Sequence, residues 1–158
     1  MKGKEQGFSL IELLIVVAII LIIAAIAIPN FMRSRMASNE ASAVSSCRTI
    51  NGAEVTYNSM YRGYSNNLAE LGPPGAGMPT PSAAGLIDSV LATGMKSGYS
   101  FLYTPGPSVP ASGAVNYQLN ANPTTPGTSG LRYFYSDGSG VIRQSTTGVA
   151  SVASSAVD

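Results

Sequence analysis

The sequence predicts an α+β chain in which one long N-terminal helix packs on a small antiparallel sheet. Three observations carry that expectation. The run from 8 to 28 is apolar except for Ser9 and Glu12, and 13–28 is unbroken hydrophobe. Ala43, Cys47, Ile50, Ala53, Tyr57 and Met60 then recur at spacings of three and four, the apolar face of an amphipathic helix. Four strand candidates, at 99–103, 115–121, 131–135 and 141–143, come only after these helical segments.

The first segment has the length a bilayer demands, roughly 20 apolar residues. Lys2 and Lys4 ahead of it give the look of a secretory signal. Such a signal has an apolar region of only ~7–15 residues and then a small-residue cleavage site. This run is longer and ends in Ile28-Pro29-Asn30, so a retained helix fits better. Glu12 is its anomaly, because a charge inside a membrane helix costs at least ~2.5 kcal/mol and calls for a partner. Pro29 removes a helix hydrogen bond and crowds the preceding turn, so it either ends the helix or kinks it. From 30 to 60 there is no further proline and only Gly52, and we expect one long helix bent or loosened at Pro29, ending near Tyr61 with Gly63 as its stop. A helix over 8–61 would extend ~80 Å at about 1.5 Å per residue.

Composition bounds the function. After the first 28 residues, the rest of a 158-residue chain forms one small domain at most. Net charge is +1, and removing 1–7 deletes Lys2, Lys4 and Glu5, leaving seven basic and seven acidic side chains. That balance supplies no basic surface for direct nucleic-acid binding. With no histidine and one cysteine, His/Cys metal sites, His-dependent triads and an intramolecular disulfide are excluded. No phosphate loop or paired-acid spacing stands in for them, so the chain reads as no enzyme and implies no cofactor. Cys47 lies on the helical stripe and is expected to be a small buried hydrophobe rather than a reactive thiol.

Gly7-Phe8-Ser9-Leu10-Ile11-Glu12-Leu13-Leu14-Ile15-Val16-Val17-Ala18-Ile19-Ile20, followed by Ala27-Ile28-Pro29-Asn30-Phe31, closely resembles the N-terminal signature of type IV pilins and type II secretion pseudopilins. The resemblance covers about a quarter of the chain. It implies a leader at 1–7, cut by a prepilin peptidase between Gly7 and Phe8 on the cytoplasmic side, and N-methylation of Phe8. It further implies a transmembrane and filament-core helix at 8–29, an amphipathic continuation at 30–63 and a globular head at 64–158. Orientation, on which Lys2, Lys4 and Glu5 against Arg33 and Arg35 nearly tie, follows from the same likeness: leader inside, head outside.

Physics agrees with that pattern. A carboxylate near a helix N-terminus is favoured by ~0.3–1 kcal/mol. Among parallel helices, Glu12 of one subunit would neutralise the new amine on Phe8 of the next and set axial register. The simpler alternative, Glu12 snorkelling to headgroups, does not account for the flanking match. The resemblance implies as partners identical subunits in a homopolymer, the peptidase/methylase, a membrane platform protein and an assembly ATPase. It implies residence in the bacterial inner membrane, then in a surface filament. A pseudopilin of a type II secretion system, confined to the periplasm, and a membrane-tethered binding or adhesive module are the rival readings.

The head changes character at Gly63. Short helices are expected at 66–71 and 84–92, separated by the Gly/Pro-rich loop 72–81. Asp137-Gly138 signals a hairpin, with Gly140 available for a bulge. The same Asp137-Gly138-Ser139-Gly140 resembles calcium loops of some major pseudopilins, but calcium wants six to eight oxygens and few carboxylates lie nearby, so Asp137 is a weak metal candidate. The eight tyrosines suggest core and inter-subunit packing. The tail from 145 suits an edge strand, a flexible end or a glycan-bearing segment.

Overall fold

The computed structural model describes residues 7–109 and 113–157. The predicted leader, apart from Gly7, lies outside the described residues. The chain divides into two compact units, Met1–Arg35 and Met36–Asp158, and helix α1 (Leu10–Tyr61) contributes to both.

In the first unit α1 begins where the Ser9 carbonyl accepts the Leu13 N–H at 3.2 Å. Pro29 sits inside the helix and does not end it. Its ring supplies no N–H for the Ala25 carbonyl, yet the apolar residues around it are good enough helix formers to carry the backbone through. The large apolar side chains point outward all round, from Phe8 at 85% exposed to Ile28 at 61% and Phe31 at 66%. A helix apolar on every face is one built for surroundings other than water.

In the second unit the remainder of α1 lays one face on a sheet. Ala43, Cys47, Ile50, Ala53 and Tyr57 are buried as the spacing predicts, whereas Met60 is 61% exposed. The stripe continues instead through Tyr61, whose ring lies 4.7 Å from that of Tyr57. The same face also buries Glu40, Asn51 and Glu54, which the apolar pattern passes over. Helix termination differs from expectation too. Arg62, not Gly63, takes the left-handed conformation (φ 62°) and donates its N–H to the Asn58 carbonyl at 2.8 Å.

Two one-turn helices follow, α2 (Leu68–Leu71) and α3 (Ser89–Ala92), each opened by a side-chain cap. Asn67 accepts the Glu70 N–H and Asp88 the Leu91 N–H. The second is shorter than the predicted 84–92 because Gly85 is left-handed and residues 84–87 bond to the backbone of 70–72 instead.

The strands are β1 (Met95–Lys96), β2 (Tyr99–Pro105), β3 (Ser108–Val109), β4 (Gly113–Ala114), β5 (Tyr117–Pro123), β6 (Tyr133–Asp137), β7 (Arg143–Ser145) and β8 (Ser155–Ala156). An antiparallel six-stranded sheet runs β1-β2-β5-β6-β7-β8, beside a two-stranded β3-β4 ribbon. This is the α+β architecture the sequence predicts. The 115–121 candidate starts two residues late at Tyr117, because Val115 and Asn116 bond instead to Pro107 and Gly106. The 131–135 and 141–143 candidates are each displaced by two residues, to 133–137 and 143–145. Asp137 belongs to the strand, and the connection is longer than a two-residue hairpin: Gly140 donates to the Asp137 carbonyl at 2.9 Å and takes the positive φ, 74°. Phe101, Ala121 and Phe134 sit opposite one another across three strands and face α1. Among the tail residues, Ser155–Ala156 pairs with β7 as an edge strand, and buried Ala150 accepts the Asn120 amide at 2.9 Å.

Candidate functional site

Gly7 and Phe8 precede the first turn of α1 and lie outside regular structure, both exposed. Nothing stands within 4 Å of where a Cβ on Gly7 would be. An exposed, non-helical peptide bond is the kind a protease can take up in extended form. Four residues beyond Phe8, Glu12 occupies the first turn, and its Oε2 accepts the Ser9 N–H at 2.9 Å. Ser9-Leu10-Ile11-Glu12 thus makes the returning half of a capping box, satisfying a donor that the helix itself leaves orphaned. Its sequence neighbours Leu10, Ile11, Leu13 and Leu14 are aliphatic and 58–75% exposed. Among the described residues, α1 alone is long and apolar enough to cross a membrane.

The other predicted positions fall elsewhere. Asp137 is the last residue of β6, its Oδ1 accepting the Ser139 N–H at 2.9 Å and its Oδ2 the Tyr135 hydroxyl at 3.2 Å. Among the described residues no group of three His, Cys, Asp or Glu side chains comes together. Cys47 is fully buried, and burial pushes its thiol up to about 12, which leaves it a hydrophobe.

Three buried polar residues of α1 were not singled out by the sequence. Glu40 takes the N–H groups of Leu131 (2.7 Å) and Arg132 (3.2 Å) and the Arg132 Nε (2.7 Å). Burial alone would raise its carboxyl, but these donors outweigh that and hold it below its ordinary value. Glu54 accepts the N–H and the hydroxyl of Ser65 and has no ion-pair partner among the described residues; burial raises its pKa, and Glu70 adds to the rise. Asn51 links Ser136, Tyr117 and the Gly140 carbonyl. The signal for all three was present: 40, 43, 47, 50/51, 54 and 57 continue a single helical face, polar members included.

The apolar helix with one carboxylate in its first turn defines a class. Residues 2–28 match the prokaryotic N-terminal methylation motif, which takes in Gly7, Phe8 and Glu12. The chain is similar to the type IV major pilin protein PilA of Myxococcus xanthus, 42% identical over 69 residues, which is 44% of this chain and 31% of that protein. It is also similar to the type IV wide pilus major component PilA4 of Thermus thermophilus, 54% identical over 37 residues, 23% of this chain and 28% of that one. The matched stretch thus spans less than a third of either relative's length. No solved structure matches.

Proposed function

We propose that this chain is a structural subunit of a type IV pilus-like filament and performs no catalysis. One observation carries the reading: an apolar helix exposed on every face, with a lone carboxylate in its first turn, directly behind an exposed Gly7-Phe8 bond. The motif matched over 2–28 and the pilus names of two relatives support it. The leader is removed at Gly7/Phe8 and the Phe8 amine methylated by a prepilin peptidase. Before assembly the 8–28 helix holds the subunit in the inner membrane with its head outside. On assembly the same side chains exchange lipid for neighbouring helices, with Glu12 neutralising the Phe8 amine of the next subunit. A membrane platform protein and an ATPase supply position and work, since lipid and helix surfaces are about equally apolar and provide little driving force. Pro29, lacking one intrahelical bond, is where the helix yields during extraction; Pro29→Ala is expected to reduce assembly or fibre extensibility.

Mass measurement of the mature N-terminus, with electron microscopy of cells with and without the chain, tests the proposal. Expected are a methylated terminus at Phe8 and a long surface fibre lost on deletion. Short periplasmic polymers would favour a pseudopilin. An uncut chain that stays dispersed and tolerates loss of Glu12 would favour a tethered binding module instead.

A further inference from the structure

We infer that Arg33 and Arg35 form a collar that binds the phosphates of anionic phospholipids on the head side of the membrane. The inference rests on the membrane stage of the reading above. Between residues 8 and 47 these are the only lysine or arginine side chains. Both are exposed, and both belong to the same compact unit as the apolar stretch of α1. The ion pairs among the described residues are Lys96–Asp88 and Arg132–Glu40, so neither guanidinium is paired within the chain. Glu40, the first carboxylate to follow them, is taken up by Leu131 and Arg132.

Helix geometry sets their depth. Leu10 to Pro29 is continuous helix. At about 1.5 Å per residue it spans ~30 Å, the thickness of the hydrocarbon layer. Arg33 and Arg35 follow roughly 6 and 9 Å farther along the axis, at the level of a headgroup layer roughly 5–8 Å thick. Cα–Cβ bonds in a helix tilt toward its N-terminus, so both side chains leave the backbone toward the membrane, their stems lying along apolar surface. Two residues apart, they stand about 200° round the axis and meet different lipid molecules. A guanidinium holds its N–H groups in a planar fork that matches two phosphate oxygens, and it stays charged at neutral pH. Phosphatidylcholine presents that phosphate beside its own cation, whereas phosphatidylglycerol presents it alone, so the collar favours the second. Glu12 stands at the far end of the span and does not compete at this depth.

Spin-labelled lipids in phosphatidylcholine vesicles that hold the full chain test the collar. Lys2→Gln and Lys4→Gln are built into every sample, so that only one end of the helix carries basic side chains. Trace spin-labelled phosphatidylglycerol or phosphatidylcholine then reports how much of each is motionally restricted at the protein surface. Phosphatidylglycerol is expected to be preferred at least about threefold at low salt, and the preference to fade in about 1 M sodium chloride. Arg33→Gln/Arg35→Gln is expected to abolish the preference at unchanged Tm, and Arg33→Lys/Arg35→Lys to keep roughly half of it or more. Equal restriction of the two lipids, or a preference that survives Arg33→Gln/Arg35→Gln, would overturn the inference and leave the membrane reading standing. Restriction of neither lipid would overturn both. A preference displaced by inorganic phosphate more than by chloride of equal ionic strength would mean that the arginines take free phosphate instead, and would overturn it as well.

Discussion

The backbone N–H of Ser9 donates to Glu12 Oε2 at 2.9 Å, so the one carboxylate of the apolar helix already caps its own first turn. Under the filament reading proposed above, Glu12 has two separable duties, a cap within the subunit and a charge toward the next. Glutamine serves a capping box as well as glutamate does, whereas alanine does not. Glu12→Gln should leave the helix start intact yet lose filament yield and subunit register; Glu12→Ala should lose both, with about 0.5–1 kcal/mol of local helix stability gone. Counting filaments for both variants and measuring amide exchange at residues 9–13 in micelles checks this. Normal filaments from Glu12→Gln would show that the cap, not the charge, was being selected.

Arg62 occupies a conformation that a glycine would adopt freely. A side-chain-bearing residue in the left-handed region costs about 1–2 kcal/mol. Arg62→Gly relieves this but adds freedom to the unfolded chain, for a net gain of about 0.5–1 kcal/mol. Thermal unfolding should show Tm higher by roughly 2–4 °C, and a lower Tm would mean that the Arg62 side chain makes a contact worth more than the strain.

The helix, the order of helices before strands and the N-terminal methylation motif were legible because each rests on a long, one-signed pattern: the run 13–28, the 3–4 spacing from Ala43 to Tyr57, and the Gly7 to Glu12 string. Strand ends were not. Tyr133, Tyr135 and Asp137 project to one side of β6 while Phe134 and Ser136 project to the other, and Tyr135 and Ser136 are both buried, so apolar alternation places the strand poorly. The edge pair β7-β8 is Arg, Gln, Ser and Ala, held by backbone bonds and carrying no hydrophobic pattern at all. Glu40, Asn51 and Glu54 escaped notice for the opposite reason. Their place on the buried face was readable from their spacing, but the donors that make a polar group tolerable there, from β6, its approach and the Ser65 loop, were not.

Glu40 and Arg132 join the first buried turn of the head's helix to the start of β6, with Arg132 Nη1 also donating to the side-chain Oε1 of Gln144 at 2.9 Å. Glu40→Ala leaves two backbone N–H groups and a guanidinium without their acceptor, at a cost of about 3 kcal/mol. Because the folded-state pKa of Glu40 lies below its ordinary 4.5, its stabilisation is complete above that value and disappears as pH falls through the lower, folded one. Urea unfolding should therefore show wild type and Glu40→Gln well separated at neutral pH and converging in strong acid. A gap independent of pH would mean that the hydrogen bonds, not the charge, hold the pair.

Glu54 has the reverse linkage. It is fully buried and accepts twice from Ser65, with Tyr103 beside it, Glu70, Tyr57 and Tyr117 adding only negative or neutral neighbours, and no ion-pair partner among the described residues. Its folded-state pKa lies above 4.5, so the native head binds a proton that the unfolded chain releases, and stability rises as pH falls from the raised value toward 4.5. Glutamine keeps an acceptor for the Ser65 N–H and carries no charge to desolvate. Glu54→Gln should match or exceed wild type at pH 7 to 8 and lose that advantage on acidification, while Glu54→Ala, which strands both Ser65 donors, should cost about 2–3 kcal/mol in acid and less toward neutrality, where wild type carries the buried charge. Because Glu40 weakens the fold only below 4.5 while Glu54 strengthens it down to that point, wild-type stability should peak on the acidic side of neutrality. Tm profiles across pH for the two variants check this, and a wild-type profile that peaks at or above neutrality and overlays Glu54→Gln would show that Glu54 titrates as an ordinary surface acid.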